Sequence, residues 1–522
     1  MSEAYTVPGV YITESNGLAL SIQSGETAVP VFVGVFNRLD PVPAPAFEVK
    51  SGSGPICERI ESWLDFSSKF TSSDRIHDIS QDKGDEITDY KGSYSVRLYF
   101  ENGGGPCYVL YFASRDDLDD KAHQALIAPT IAQYPDITLL CWCEIIKQSQ
   151  DDEIYSALSP LLGASATSGG NQGRFLLADA FVDGTEENAK SPSSWTNFTT
   201  PTVSDATQVA TYFPALKTNY TRDYSDAVVG GFTEDQYGLL VDGKLFKTGG
   251  RNNDPTARAR WSEVPAAAQI GLAARQAKAS ATPGESTTAA VNKANEIITE
   301  FNNFAKRLAN ADKQPVYLRA SVAMAGVYAR VDRERGVWKA PANVALSGVA
   351  GLVAAGRDPN NSNVKWKEVV ELNVDDSLNE KLVNSKINAI RTFRGQGTMV
   401  WGARTMEEAG KNDWRYVPVR RLFNAVERDA RAALRQALFE PNTPVTWSAV
   451  RSALESYLYG LWKKGALQGE TPEQAFSVQI GLGITMTPED ITNGNLKVRV
   501  SLAAVRPAEF IVLELSQQVG AG

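Results

Sequence analysis

The chain of 522 residues is longer than one typical domain, and a hydrophobic content of 43% is sufficient for two or three cores. A net charge of -9 and a pI near 5.2 argue against nucleic acid as the main partner. Four cysteines do not indicate a disulfide scaffold, and without a leader or a long apolar run we expect synthesis in a reducing cytoplasm, with no export and no membrane insertion.

The chain opens with a short segment of extended character, Tyr5 to Glu14, which a Pro-Gly pair interrupts. Such a segment buries little by itself, so its composition fits a frayed terminus as well as a strand. The next segment, Thr27 to Gly34, is apolar on both faces and predicts a buried strand. Alternating prolines then mark Asp40 to Lys50 as a linker.

The middle of the chain alternates between strand-like and helix-like runs. The strand-like runs are Pro106 to Ala113, Ile137 to Cys143 and Arg174 to Phe181, and the helix-like runs are Leu118 to Gln133, Asp151 to Leu162 and Asp205 to Tyr212. This alternation predicts a mostly parallel sheet with helices on its faces. From Val229 to about Ala290 the periodicity gives way to turn-rich sequence, which indicates an inserted surface module or a long loop; an amphipathic helix follows at Ala289 to Ala309.

Candidate catalytic motifs are incomplete. The two histidines, His77 and His123, lie in polar, acid-rich stretches, and no nucleophile elbow accompanies them, which argues against a catalytic triad. The run Gly103-Gly104-Gly105 precedes a strand and lacks the Lys-Ser/Thr ending of a phosphate-binding loop, so it predicts a tight turn.

Candidate metal ligands are equally incomplete. Cys141 and Cys143 point to the same face of a strand, but no second pair completes a tetrahedral site, and two buried thiols are the better interpretation. The acidic run from Asp116 to Asp120 lacks the glycine and distal glutamate of a calcium loop. It predicts a solvated helix start.

The last hundred residues, Asp413 to Leu515, predict an α+β unit. Apolar residues from Val419 to Leu438 recur at helical spacing, and the opposite, outer face carries Arg421, Arg428, Arg431 and Arg435. A second helix is predicted to start at Thr443 and Pro444 and to end at Lys463. Its expected buried side chains are Trp447, Val450, Leu454, Tyr457, Leu458, Leu461 and Trp462.

Shorter elements complete this unit. Thr471 starts a third helix, with Gln474 placed to close a capping box, and Thr487 starts a brief fourth helix. Apolar and polar residues alternate from Leu496 to Leu502, which predicts a strand with one buried face. Phe510 to Leu513 is apolar on both faces and should be covered on both.

Several of these motifs resemble those of contractile-tail sheath proteins, the subunits of tailed phages and of the phage-tail-like injection particles derived from them. In chain order, the motifs are Pro8-Gly9-Val10-Tyr11-Ile12, Thr27 to Gly34, Met324 to Asn343, Asn388-Ala389-Ile390-Arg391, Val400 to Thr405, Ala437 to Thr443, Gly460-Leu461-Trp462, Gly465 to Gly469, and Val505 to Phe510. They cover both ends and much of the middle.

The resemblance implies a multidomain fold, α/β plus α+β. Its expected parts are an α+β C-terminal core joined by the N-terminal segment, an α/β middle domain of subtilisin-like fold without catalysis, an inserted surface region, and extended arms. The implied boundaries are 1–17 for the N-terminal arm, 18–40 for a strand segment joining the core, 41–345 for the middle domain with the insertion at about 229–290, 346–412 for a connection to the core, and 413–522 for the core with a C-terminal arm at 508–522.

The resemblance also implies a structural function without catalytic residues, cofactor or metal. Copies of the chain, with or without paralogous sheath subunits, form a helical sleeve around an inner tube protein, with a baseplate and a terminator or cap as further partners. Contraction drives the tube through a target envelope by rearranging interfaces, so no nucleotide hydrolysis and no recycling ATPase are required. The expected location is a virion tail or a released phage-tail-like particle. The alternative is an α/β enzyme of unknown substrate.

Roles for individual residues follow from the same resemblance. The arms are expected to add strands to neighbouring subunits through Val7, Val10, Tyr11 and Ile12, and through Phe510, Ile511, Val512 and Leu513. Their host strand is expected at Lys497, Val498, Arg499 and Val500, although both ends could instead pair within their own subunit. Arg421, Arg428, Arg431 and Arg435 are the candidate contacts to the inner tube, although charge alone favours a solvated helix face.

Overall fold

The computed structural model describes residues 20–36, 55–70, 91–112, 118, 120–144, 148–163, 173–183, 195, 198–221, 315–354, 356–357, 370–407 and 413–509. The chain divides into two compact units, residues 26–420 and residues 1–25 with 421–522. The linker at Asp40 to Lys50, the insertion at 229–290, the Ala289 to Ala309 helix and the arm residues at both ends lie outside the described residues.

The unit of residues 26–420 contains many short strands. They are β1 (Pro30–Val35), β2 (Ile56–Ile60), β3 (Cys107–Phe112), β4 (Leu139–Trp142), β5 (Phe175–Asp179), β6 (Phe181–Asp183), β7 (Phe198–Thr199), β8 (Val209–Phe213), β9 (Ala215–Thr221), β10 (Pro315–Leu318), β11 (Val344–Ala345), β12 (Val349–Ala354), β13 (Gly356–Arg357), β14 (Val370–Glu371), β15 (Ile387–Phe393) and β16 (Gly397–Trp401).

Nine of these strands form one sheet in the order β11-β16-β15-β8-β5-β4-β1-β3-β2. Pairing is parallel from β15 across to β3 and antiparallel at both ends of the sheet. Two smaller sheets have the orders β10-β9-β12-β14 and β13-β6-β7. The prediction of a mostly parallel sheet is confirmed.

Helices cover both faces of this sheet. They are α1 (Trp63–Lys69), α2 (Gly92–Glu101), α3 (Lys121–Gln124), α4 (Ile127–Ala132), α5 (Gln148–Leu158), α6 (Ala320–Arg335) and α7 (Asp376–Asn384), with 3-10 turns at Ser159–Leu161 and Ala206–Gln208. None of the helices in the described ranges combines the length and the apolar character needed to span a bilayer.

Strand β1 shows why two helical layers are needed. Val31 and Val33 lie in one buried cluster with residues of α4 and α5, whereas Phe32 lies in the other with residues of α2 and α6. Because successive side chains of a strand point to opposite faces, a strand that is apolar at every position requires cover on both. Gly326 allows α6 to approach α2 closely, since a Cβ atom there would lie 2.4 Å from the carbonyl oxygen of Tyr99.

The predicted helix at Asp205 to Tyr212 is wrong. Asp205 instead caps a 3-10 turn, and the chain then enters β8, which is buried throughout. β8 lies between β5 and β15 and pairs in parallel with both. Burial inside a sheet therefore overrides the weak helical spacing of this segment.

Two domain boundaries also differ from expectation. Within 18–40, residues 20–25 belong to the C-terminal unit, whereas the strand β1 belongs to the α/β unit and lies inside its sheet. The segment 346–412, expected to be a connection, supplies β15 and β16 to the same sheet. Pairing between strands distant in sequence decides which unit each of these two segments belongs to. The periodicity within a single segment contains no information about that pairing.

The second unit is built on two long helices. Helix α8 (Val417–Leu434) crosses the boundary at residue 420 and ends in a 3-10 turn at Arg435–Ala437; α9 (Pro444–Lys463), α10 (Pro472–Ala475) and α11 (Pro488–Thr492) follow, with strands β17 (Phe476–Gln479) and β18 (Arg499–Leu502). The predicted helices are confirmed, and of the strand predicted from Leu496 to Leu502 the part at Arg499–Leu502 forms. On α9, Val450, Leu454, Leu458 and Leu461 are buried as expected, and Trp447, Tyr457 and Trp462 are half-buried.

The capping box predicted at Thr471 does not form. The Gln474 side chain accepts from the backbone N–H of Glu470 (2.9 Å) and not from that of Thr471, and the Thr471 side chain makes no cap hydrogen bond. A complete capping box occurs instead at Thr487, whose partner is Asp490. Asp490 also pairs with Lys497 (2.6 Å), and these bonds lower its pKa to about 2.

Candidate functional site

The motifs considered for catalysis form no reactive site in the described residues. Asp120 caps α3 through the N–H of Ala122 (2.8 Å), and no group of three potential metal ligands comes together there. Cys141 and Cys143 are buried free thiols on one face of the sheet, as predicted, and burial raises both pKa values well above the ordinary thiol range. A protonated, buried thiol is a poor nucleophile and a poor metal ligand. His77 lies outside the described residues.

The glycine run is a turn. It follows α2 and precedes β3, Gly103 has φ +96°, and Gly104 lies against the ring of Tyr99. A phosphate-binding loop follows a strand and opens a helix, which is the reverse order.

Sequence reasoning missed a buried charge cluster at the carboxyl ends of β4 and β5. Arg319, 1% exposed, donates from Nε (2.8 Å) and Nη2 (2.6 Å) to the backbone oxygen of Glu144. Its Nη2 also pairs with Asp151, and its Nη1 lies 3.7 Å from Asp179. Burial works to lower the pKa of Arg319, but the two carboxylates more than reverse that effect.

The carboxylates of the cluster also hold two helix N-termini. Asp179 accepts the backbone N–H (3.0 Å) and the hydroxyl (2.6 Å) of Ser321 in the first turn of α6. Glu144 accepts N–H groups from Lys91 (2.6 Å) and Gly92 (3.1 Å) at the start of α2; burial raises its pKa to about 7, and these N–H groups oppose the shift. Negative charge at a helix N-terminus is stabilised by the helix dipole.

This position has a functional meaning in α/β proteins. Ligands of open α/β sheets bind outside the carboxyl ends of the strands, often at helix N-termini. Here the protein's own side chains occupy that position, and the cavity beside Arg319 is only about 10 Å³. The signal in the sequence was an acidic residue at or near the end of two buried strands, Glu144 two positions after β4 and Asp179 as the last residue of β5.

In the C-terminal unit, the arginine stripe divides into two parts. Arg421 is 3% exposed and Arg428 is half-buried, whereas Arg431 and Arg435 are exposed. The expectation of a fully outward stripe is therefore wrong for Arg421 and Arg428. Part of α8 is covered by residues distant in sequence, since Gly25 lies against the Arg428 side chain.

A buried carboxylate fastens the segment of residues 20–25 to α8 and α9. Asp429, 5% exposed, accepts the backbone N–H of Gly25 (3.2 Å) and the hydroxyl of Tyr457 (2.8 Å). Burial raises the pKa of Asp429, and the bonds to Tyr457 and Arg428 oppose the shift. These bonds hold Gly25 against α8 and α9.

The predicted host strand forms one edge of a two-stranded sheet. β18 pairs antiparallel with β17 in a register that sets Val500 opposite Val478. Arg499 and Val500 lie in β18; Lys497 and Val498 precede it, and the Lys497 carbonyl accepts the Thr485 hydroxyl (2.7 Å). Within the described ranges, no further strand pairs with either edge.

The register shows which backbone groups face outward. Ala503 donates to the carbonyl of Ala475 (2.9 Å), so these two residues form a hydrogen-bonded pair at the end of the ladder. Bonded and non-bonded pairs alternate in antiparallel sheets. Val500 and Leu502 therefore direct their N–H and C=O groups away from β17, toward the open edge.

Comparison with known proteins gives consistent matches. Residues 410–518 match the family model of the phage tail sheath C-terminal domain. The cryo-EM structure of the anti-feeding prophage (AFP) helical sheath in the contracted state is 30% identical, with 99% of this chain and 100% of that chain covered and a TM-score of 0.60. A chain of the AFP baseplate is 31% identical, with 99% and 100% covered and a TM-score of 0.59.

A third solved structure is the contracted sheath complex of PVC, an extracellular contractile injection system. It is 30% identical, with 99% of each chain covered and a TM-score of 0.55. A search of curated proteins finds no match.

Proposed function

Since this chain belongs to the contractile tail sheath family, we propose that its copies polymerise as a helical sleeve around an inner tube and contract to drive that tube through a target envelope. The two relatives in contracted sheaths support this proposal because the alignment covers nearly all of each chain. The relatives are structural sheath proteins, and the occupied ligand position of the α/β unit gives the alternative of an enzyme no support.

The observation that carries this function is the open two-stranded sheet. An isolated pair of strands is marginally stable in water, and an exposed edge accepts further strands. The arms at Val7 to Ile12 and Phe510 to Leu513 have the apolar, extended character that such an edge accepts. Neighbouring subunits would then stay joined through main-chain bonds while their side-chain interfaces rearrange during contraction. Deletion of Met1 to Glu14 tests this link.

We propose an assembly of the extracellular injection-system type, with an inner tube, a baseplate and a terminator as partners and synthesis in the bacterial cytoplasm. AFP and PVC support this class. The subtilisin-like description of the middle domain stays a prediction.

The inner-tube contact is proposed for the exposed part of the arginine stripe. Arg431 pairs with Glu427 one turn away and is partly exposed, and Arg435 is exposed on the 3-10 turn that follows. A contact between surface charges is screened by salt and contributes only ~0–1 kcal/mol per pair. Such a weak contact between sheath and tube could break when the sheath contracts.

Arg431→Glu with Arg435→Glu should therefore give a folded subunit that is poorly retained on the tube in the extended state. Negative-stain microscopy at low and high salt measures the fraction of extended particles. Arg421→Gln is not a suitable control, because its buried side chain affects folding; Arg506→Glu, an exposed arginine near the C-terminal end of the unit, is the matched charge control. Unchanged extended particles in the double variant would reject the assignment.

The turn-rich insertion is proposed to lie outside the sleeve contacts. Segments with few periodic apolar residues tolerate replacement because few buried contacts depend on them. Replacing Asp242 to Thr282 with a short Gly/Ser linker should leave the circular dichroism spectrum and sleeve formation unchanged. A folded subunit that no longer assembles would place this region at an interface between subunits.

A further inference from the structure

The turn between α8 and α9 exposes a tip, Leu438-Phe439-Glu440, with two apolar side chains followed by a carboxylate. Phe439 is fully exposed and Leu438 is 61% exposed. Phe439 has φ +69°, in the left-handed region that side chains with a Cβ atom rarely adopt. An exposed aromatic residue in a strained backbone conformation indicates a contact surface, because neither feature benefits the isolated subunit.

The tip is held rigidly in this position. Asn442 accepts from Nε1 of Trp447 (2.6 Å) and donates to the backbone oxygen of Asn495 (3.1 Å). The carbonyl of Pro441 accepts the hydroxyl of Thr446 (2.7 Å). A preformed tip loses little conformational entropy when it docks.

The same unit contains an open groove of about 280 Å³ between the segment of residues 20–24 and α9. Leu20 and Ile22 form one wall, Ala453 and Leu461 face them, and Lys464 lies at the end. The remaining lining residues are Ser21, Ser24, Ser456, Tyr457 and Gly460, so the groove is of mixed polarity. Its volume is sufficient for an aromatic ring, since a cavity of about 150 Å³ can hold benzene. The bond from Gly25 to Asp429 holds its outer wall in place.

The groove cannot receive the tip of its own chain. The tip precedes Pro444, whereas the groove is lined by α9 from Ala453 to Lys464. At a rise of 1.5 Å per residue, the middle of this lining lies roughly 20 Å along the helix from the tip. The two surfaces are therefore different patches of one molecule, and contact between copies would be head-to-tail, which generates closed rings or open helical assemblies.

We propose that the tip of one subunit docks in this groove of a second copy, with the Phe439 ring between Leu20 and Leu461 and the Glu440 carboxylate paired with Lys464. Charge complementarity supports this occupant, because Glu440 and Lys464 are both exposed and neither forms an ion pair with another described residue. The contact rests on the proposed sheath function and adds a side-chain link to the main-chain link of the arms.

Phe439→Gly separates assembly from folding. Glycine adopts positive φ without strain, and the fully exposed ring contributes no packing, so the Tm of the isolated subunit should stay the same or rise. Sleeve formation on intact particles, counted by negative-stain microscopy, should fall about tenfold or more, as for the loss of an aromatic hot spot. Sleeve loss together with a lower Tm would indicate a folding role and overturn the proposal.

A charge exchange identifies the partner. Glu440→Lys and Lys464→Glu should each reduce sleeve formation, and the double variant should restore it, whereas Glu455→Lys, on α9 outside the tip and the groove, should have no effect. Single variants that assemble normally, or a double variant no better than either single one, would overturn the proposal and assign the tip to the inner tube or another surface. Particles of the unmodified chain without sleeves would instead contradict the proposed function.

Discussion

Deletion of Met1 to Glu14 should abolish sleeve formation while the subunit stays folded. The arm is expected to supply a handful of main-chain hydrogen bonds to a neighbour, each contributing ~0.5–1.5 kcal/mol net. Each bond is weak, but the proposed contact would repeat in every subunit and would extend a sheet to which no further strand pairs within the described residues. Circular dichroism measures folding, and negative-stain microscopy of particles measures the sleeve.

A pair of point variants tests whether main-chain bonds carry the contact. Val10→Pro with Ile12→Pro removes two N–H donors, whereas Val10→Ala with Ile12→Ala keeps them and removes apolar surface. The proline variant should lose the sleeve, and the alanine variant should keep most of it. Normal assembly and contraction of the truncated protein would show that the arm pairs within its own subunit or not at all.

Arg319→Met should destabilise the α/β unit by about 3–5 kcal/mol, because it leaves Asp151 and Asp179 buried without their cation. Methionine keeps much of the side-chain volume, so the effect reports charge and hydrogen bonding more than a cavity. Urea unfolding followed by circular dichroism gives the free energy of unfolding.

Arg59→Met is the matched control. Arg59 pairs with Glu61 and Asp136 at the surface, with 44% of its side chain exposed, so its loss should cost only ~0–1 kcal/mol. Adding Asp151→Asn to Arg319→Met should recover part of the stability, because one of the two unpaired charges is removed. Equal unfolding midpoints for Arg319→Met and Arg59→Met would show that the cluster does not stabilise the fold.

Periodicity predicted the elements whose patterns lie within one segment. Helix α9 has a proline in its first turn and one apolar face, and strand β1 is apolar on both faces. Each of these local patterns indicates its element type without information from other segments. The alternation of strand-like and helix-like runs predicted the mostly parallel sheet. The sequence motifs predicted the sheath family, to which the solved sheath structures are similar over nearly the whole chain.

Tertiary structure alone decided the remaining features, because each depends on residues distant in sequence. The segment at 209–213 is a strand because β5 and β15 flank it, although its spacing suggested a helix. Arg319 lies 168 residues from Asp151 and 140 residues from Asp179 in the sequence, so the three side chains meet only after the sheet has formed. Arg428 is half-buried because Gly25 lies against it. Periodicity along one segment reports which face is apolar, but the partner that covers that face is chosen by packing between segments.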